Sequence, residues 1–527
     1  INYYYFGHLI AAVLTKLSFL NPVITYNLMV ASLFGLTLSM SFSIGANLWH
    51  KITANYTVIF AGLLAGVLIT LGGNLHTIYA FFQNYNTDNP VPFWQLAPSF
   101  NFSGYWYPNA TRFIPLTIHE FPLYSFVVSD LHGHVFDIPI VLLAIALTIA
   151  FYYQKKIHLG FIIFYGFLVG TVLMTNVLDG PIYLLLASLI VYFKEKPNFL
   201  KYFLVVILMA AVTTLPFWLN FKPFGSGVGL LCAPDFLSDI GRLGPFIFEK
   251  DHCSRSPLWM LAILYGFFFF TLYGFAAKIN RQINTSDKLT LILVLFATIL
   301  IIIPEIFYVK DIYPAHYRAN TVFKFGYQAF IILALSTSYM IFRIYHNVKW
   351  KLFVLLYSLF IILFFALVAI YPYFAIRSYY GELKNYKGLN GLQYLQDLYP
   401  SDYRAILWLR ENIQGQPVIL EGVGESYTDY ARVSSNTGLP TVIGWPVHEW
   451  LWRGSPDEGT RRSEDVKIIY EDSNLQKTTD LINKYHISLI FIGVLEKQKY
   501  PNLQTEKFSR IGQIIFQDGD TKVYKLN

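Results

Sequence analysis

Ten long apolar stretches, nearly free of charge, occupy the chain between positions 23 and 374, and nothing else in it constrains the fold as strongly. A helix that crosses the hydrocarbon core of a bilayer needs about 20 apolar residues. The stretches cover 23–46, 57–73, 135–153, 160–177, 181–193, 202–221, 257–277, 289–309, 326–345 and 352–374. Hydrophobic residues make up 55% of the 527 positions and charged residues 13%, with a mean hydropathy of +0.45. A soluble chain of this length would need far more charge to cover its surface, so lipid does much of the solvating. The segment 181–193 is short, and 3–20, with Lys16 and His8, reads equally as an interfacial helix.

Positive charge sets the expected orientation. Alternate short connections carry Lys51; Lys155 and Lys156; Lys194, Lys196 and Lys201; Lys278, Arg281 and Lys288; and Arg343, Lys349 and Lys351. Short loops rich in Lys and Arg stay in the cytoplasm. The longer connections 74–120, 222–256 and 310–325 then fall outside, and so does everything after residue 377. The net charge of +7 sits largely in these loops, which makes it a topology signal and a poor argument for nucleic acid, so no nucleic-acid partner is expected. The reading is a multi-pass plasma-membrane protein. Its transmembrane domain spans 1–377, and a small soluble α/β domain at 378–527 is extracytoplasmic.

Composition turns ordinary after position 378. Ser401 is placed to cap a helix over 402–412, and 417–420, 441–443 and 487–492 read as buried strands. A helix is expected near 475–485. The strands 513–516 and 522–526 flank Asp518-Gly519, a hairpin signal. The domain has neither a Gly-rich phosphate loop nor a CxxC pair. Cys232 and Cys253 are the chain's two cysteines and share one outer loop, so a disulfide and a pair of free thiols are both open readings.

Ionisable residues at membrane depth are costly and invite a functional reading. The densest set runs from His119 and Glu120 through Asp130, His132 and His134 to Asp137, where the first long outer loop meets the span 135–153. On a continuous helix Asp130, His134 and Asp137 would share a face. Two carboxylates and an imidazole there suit a divalent metal, a sugar phosphate or proton transfer. Wetted helix-capping residues are the bland alternative. A second set, Glu305, Lys310, Asp311, His316, Arg318, Asn320 and Lys324, lies in the last outer loop. Arg318 and Lys324 depart from the positive-inside pattern there and suit an anionic partner such as a lipid phosphate; a salt bridge to Asp311 or Glu305 is the alternative. Asn176 and Asp179 form a weaker third set. In the soluble domain the loop 444–454 holds Trp445, Trp450 and Trp452 with His448, Glu449 and Arg453, a composition suited to stacking on carbohydrate or to the membrane interface.

These motifs resemble the YYY membrane-protein family of bacteria and archaea. The residues that carry the resemblance are the opening Ile-Asn-Tyr-Tyr-Tyr-Phe-Gly, Glu120-Phe-Pro with Asp130-Leu-His132-Gly-His134, Asn320-Thr-Val-Phe-Lys324-Phe, and Gly444-Trp-Pro with Trp452-Arg-Gly454. That family in turn resembles, by layout, the GT-C superfamily of polytopic glycosyltransferases. The resemblance implies a GT-C-like helix bundle that transfers sugar from a polyprenyl-phosphate donor on the outer membrane face to a glycan, lipid or protein acceptor. GT-C enzymes place a catalytic acid in a first outer loop. Here the chain opens at Ile1 inside the Tyr-rich segment, so that acid is expected upstream, and Asp130 or Glu120 is the reachable substitute. Within that reading His132 and His134 join Asp130 and Glu120 in catalysis. His316, Arg318, Asn320, Lys324, Asp179, Trp450, Trp452 and Arg453 bind substrate, and a divalent metal would sit on Asp130, His134 and Asp137. A transporter or flippase for a lipid or polar solute, and a non-catalytic scaffold with an external binding domain, are the rival classes.

Overall fold

The computed structural model describes residues 2–223, 225–279, 283–346, 351–384 and 386–527, without the side chains of residues 351 and 353. Arg281, Lys349 and Ile1, used above, lie outside the described residues, as does the side chain of Lys351. The chain divides into two compact units, Tyr4–Tyr386 and Lys387–Asn527 with Ile1–Tyr3.

The larger unit is a bundle of apolar helices. In order these are α1 (Phe6–Ser18), α2 (Pro22–His50), α3 (Thr57–Thr70), the short α4 (Pro122–Val127), α5 (Gly133–Tyr153), α6 (Leu159–Thr175), α7 (Asp179–Lys194) and α8 (Phe199–Trp218). After a single turn, α9 (Asp235–Ser238), come α10 (Leu258–Ile279), α11 (Thr285–Ile302), α12 (Ala319–Tyr345) and α13 (Lys351–Tyr379). Among the described residues seven helices are long and apolar enough to cross a membrane, or eight if α3 and the turn Leu75–Phe81, bent by 69°, form one span. All ten apolar runs form helices, of which α3, α6 and α7 are shorter than the other seven. α6 has 17 residues and α7 has 16, and the hydrogen-bonded pair Asn176 and Asp179 lies at the break between them. The run 289–309 divides: α11 stops before Pro304, and Phe307–Lys310 is a strand.

Burial separates the helices into two kinds. In α12, 83% of the apolar window is buried, against 17% at α8. α12 is the central shaft, packed by α3, α10 and α11. α2, α8 and α13 present large apolar side chains outward, including Leu204, Leu208, Leu355, Leu359 and Leu363. Such a surface is stable where lipid, not water, covers it. Close helix approach uses small residues, as in other membrane bundles: on α3, a Cβ at Gly62 would lie 2.8 Å from the carbonyl of Phe42 on α2.

The connections hold structure that hydropathy does not reveal. β1 (Gly227–Leu230), β2 (Arg242–Leu243), β3 (Phe246–Ile247) and β4 (Phe307–Lys310) form a small sheet in the order β2-β3-β1-β4. Cys232 and Cys253 are joined by a disulfide in the same region.

The C-terminal unit contains α14 (Gln393–Leu398), α15 (Pro400–Asn412), β5 (Val418–Leu420), α16 (Arg432–Thr437), α17 (Pro446–Arg453), α18 (Asp457–Glu471), α19 (Leu475–Lys484), β6 (Ile487–Ile492), α20 (Val494–Lys499), α21 (Phe508–Ile511), β7 (Gly512–Asp518) and β8 (Thr521–Leu526). Its sheet runs β5-β6-β8-β7, with β5 parallel to β6 and a β7–β8 hairpin turning at Gly519, whose φ is +52°. Three expectations are revised. Ser401 is not the cap of α15: Pro400 opens that helix, with Tyr399 before it. Residues 441–443 make a single bridge from Thr441 to Ile419 and no strand. The tryptophan segment is helical, because Pro446 presets the first turn and Gly454, at φ +79°, ends it.

Candidate functional site

The segment that links α4 to α5 brings the densest polar set together. Pro122 starts α4. The chain then turns at Ser129, φ +54°, and the Asp130 amide donates to the Ser125 carbonyl at 3.0 Å. α5 begins at Gly133, where a Cβ would meet the Thr175 carbonyl and lie 2.9 Å from the Tyr4 ring. Glycine is required at that approach, and it holds His132 and His134 on either side of the helix start.

The result is a convergence of Glu120, Asp130 and His134, whose ligand atoms all lie within 4.8 Å of one another. His134 Nε2 is 3.8 Å from Asp130 Oδ2 and 3.2 Å from Ser125 Oγ. Tyr327, on α12, donates to the same serine at 3.5 Å. The other Asp130 oxygen pairs with His132 Nδ1. Arg112 closes the set from the preceding loop, with Nη2 2.6 Å from Glu120 Oε1. Burial pushes the Glu120 carboxyl above the usual carboxylate range, and the Arg112 guanidinium only partly offsets this. His119, next in chain, is fully buried. Its Nε2 accepts from the Phe113 amide at 2.8 Å, and burial, reinforced by Arg112, holds it neutral, well below the usual imidazole range.

Two carboxylates and an imidazole at this spacing fit a divalent ion that accepts mixed oxygen and nitrogen ligands, such as manganese or zinc. The donor set differs from the one read in the sequence. Asp137 is replaced by Glu120, because Asp130 precedes α5 instead of lying on its face, and Asp137 looks from α5 toward Asp179.

Beside the convergence opens a cleft of about 320 Å³, lined by apolar Ala11, Ala12, Met29 and Phe136, by Thr15, Thr25 and Tyr26 on α1 and α2, and by Asp130, His132 and His8. Its walls are α1, α2 and the start of α5. Arg112, Ser125, Tyr327 and His8 are site residues that sequence reasoning missed. Arg112 is eight positions before Glu120, and that pairing was the one local signal.

The second polar set does not join this cluster as a whole. Arg318 is buried and ion-paired, with Nη1 2.9 Å from Glu305 Oε1 and Nη2 3.0 Å from Ser256 Oγ. Asn320 donates to Asp311 Oδ2 at 2.6 Å, and His316 is exposed. Asn320 and Lys324 lie in the first turns of α12, which begins at Ala319, so they are corrected from loop to helix. Lys324 does approach the cluster: its ammonium lies 5.3 Å over the Tyr4 ring and acts on His134 across space. Asp179 is buried at the start of α7.

In the C-terminal unit, Arg453 pairs with Glu449 at 2.6 Å, and the Trp452 carbonyl accepts from Asn2 Nδ2 at 2.9 Å. Trp450 faces a groove of about 390 Å³ between α17 and α18.

A family match covers residues 1–284 and 275–333, to a group described as uncharacterized membrane protein, DUF2298. The chain belongs to that family. No curated protein matches it. Among solved structures it is similar to the archaeal oligosaccharyltransferase AglB from Archaeoglobus fulgidus, seen with an inhibitory peptide and a dolichol-phosphate, at 11% identity and a TM-score of 0.41. It is also similar to an oligosaccharyltransferase from the same organism tethered to an acceptor peptide, at 10% identity and a TM-score of 0.42. Each match covers 100% of this chain and 66% of the solved chain, so the chain spans about two thirds of those proteins' length.

Proposed function

We propose that this protein is a membrane glycosyltransferase of GT-C type that takes sugar from a polyprenyl-phosphate donor at the non-cytoplasmic face of the plasma membrane, the side on which the C-terminal unit would also lie. The observation that carries the reading is the cleft whose walls on α1 and α2, of mixed apolar and hydroxyl side chains, hold Asp130, His132 and His8 beside Glu120 and His134. That layout suits an amphipathic substrate, with an isoprenoid chain along the apolar side chains and its phosphate-linked sugar at the polar end.

Asp130 is the group placed to act as general base, taking the proton of an acceptor hydroxyl as its oxygen bonds to the sugar carbon. The bond from that carbon to the phosphate oxygen breaks, and the lipid phosphate leaves as an anion. His132 and His8 line the polar end and face that charge as hydrogen-bond donors; stabilising charge on a leaving group is a large catalytic term. Arg318 is left out of this role because Glu305 and Ser256 already engage it. A divalent ion on Glu120, Asp130 and His134 would supply further charge to the phosphate when bound. Trp450 and its neighbours on α17 are assigned to the acceptor.

The test is transfer from a polyprenyl-phosphate-linked sugar by the protein in liposomes. Asp130→Asn should lower turnover about 10²- to 10⁴-fold. Wild-type turnover by both Asp130→Asn and His134→Ala would overturn the assignment. A transporter is the second reading, favoured by the buried acids Asp137 and Asp179; solute movement without any sugar chemistry would select it.

A further inference from the structure

Away from the cleft, three helices bury a polar cluster that the transferase reading does not use. Asp137 on α5 and Asp179 on α7 face one another at hydrogen-bonding range, and both are fully buried. Asp179 Oδ2 accepts from Asn176 Nδ2 and from Gln328 Nε2, each at 2.6 Å, and Gln328 Oε1 accepts from the Tyr183 hydroxyl at 2.6 Å. These bonds leave four acceptor oxygens without a donor among the described residues: both oxygens of Asp137, Asp179 Oδ1 and Asn176 Oδ1. An acceptor that faces an acceptor makes no bond, and a buried polar atom left unpaired costs about 1–3 kcal/mol, more when charged.

Charge and geometry say what satisfies them. Two carboxylates face one ammonium, Lys324, which acts on both across space. The cluster is short of one positive charge, and a divalent ion would leave it over-neutralised. A proton shared by the two acids would engage two of the four orphaned oxygens, whereas a metal ion engages several at once. The donors are all hard oxygens, two carboxylates and an amide, the set that alkali and alkaline-earth ions prefer. Asn176 and Asp179 sit at the break where α6 ends at Thr175 and α7 begins at Asp179, and Asp137 meets them from α5. The last carbonyls of a helix carry partial negative charge, and such breaks inside membrane bundles hold sodium ions or protons.

We propose that Asp137, Asp179 and Asn176 bind a monovalent metal cation of the size and hardness of sodium. The inference is independent of the transferase reading, since it predicts binding and makes no demand on sugar transfer. The experiment uses the whole chain in detergent. Its melting temperature is followed in NaCl, KCl and choline chloride at equal ionic strength, and binding of radioactive sodium is measured alongside. Sodium should raise the melting temperature saturably and choline should not. Asp137→Asn and Asn176→Ala should each weaken sodium binding about 10- to 100-fold. Should Asp137→Asn fail to fold, Asn176→Ala, which changes no charge, carries the test. Unchanged sodium binding in Asn176→Ala overturns the proposal. So does a wild type that sodium leaves unaffected while its infrared spectrum shows a protonated carboxyl lost in Asp137→Asn, since a shared proton then holds the place.

Discussion

Replacing Arg432 by methionine should cost the C-terminal unit about 3–5 kcal/mol, the usual penalty for removing one partner of a buried ion pair. The guanidinium is fully buried between two carboxylates that are themselves fully buried. Nε and Nη2 donate to Asp402 Oδ2 at 2.9 and 2.5 Å, and Nη1 and Nη2 donate to the two oxygens of Glu496 at 3.2 and 2.8 Å. Burial alone would push Glu496 up, and the Arg432 charge pulls it below its ordinary range. Methionine fills much of the volume but leaves two buried carboxylates with no cation. Their remaining bonds, from Thr521 to Asp402 and from the Gly422 and Gly493 amides to Glu496, are too few to hold both charges. A domain's whole stability is about 5–15 kcal/mol, so the variant unit should melt roughly 10–20 °C lower. Pulse proteolysis of the full chain in detergent, with cleavage sites mapped after residue 387, measures this. A triple variant with methionine at 432 and leucine at 402 and 496 should recover most of the loss, because no charge remains to be solvated. A loss below about 1 kcal/mol for Arg432→Met, or no recovery in the triple variant, would refute the reasoning. The readout bears on function, since Trp445, which leads into α17, donates from its indole to the carbonyl of Tyr430 two positions before this arginine.

Three further outcomes are expected. His119 is held neutral in the fold, so the unfolded chain binds more protons at acid pH; stability should fall as pH drops below about 6.5, the imidazole's ordinary value, and His119→Gln should flatten that limb in a melting series. Gly133→Ala sets a methyl against the Thr175 carbonyl and the Tyr4 ring, and should lower stability by about 1–3 kcal/mol while displacing His132 and His134; a variant of wild-type melting temperature and activity would show the approach is not tight. Manganese at about 100 times its dissociation constant should stabilise wild type by about 2.7 kcal/mol and leave Glu120→Gln unmoved, as read by melting with and without chelator; equal shifts in both would remove Glu120 from the ligand set.

Much of the fold could be read from periodicity and composition because lipid solvation demands long uncharged helices. The apolar windows therefore marked every long helix, the strand at 487–492 followed from its short apolar run, and the hairpin around Gly519 followed from turn chemistry. The errors fall where tertiary contacts override local signal. Hydropathy marked the break between 177 and 181 but does not register that Asn176 and Asp179 bond to each other there. It also extended the outer loop over Asn320 and Lys324, although both lie on a helix whose polar residues find buried partners. At the candidate site, spacing identified Asp130 and His134, yet it paired them with Asp137 by assuming an unbroken helix. Glu120 reaches them only through the turn at Ser129, a left-handed residue that no periodicity predicts.

The contrast between α12 and α1 determines which wall of the cleft can yield. α12 is enclosed along most of its length and pinned at its far end, where Arg343 and Tyr339 both bond to the buried carboxylate of Asp287. α1 buries a single residue, Gly7, against Phe136. On the proposed reading, a lipid tail entering from the bilayer would displace α1 more readily than α12, which holds Lys324 and Tyr327 in register. Any widening of the cleft is then expected at the first helix and not at the twelfth.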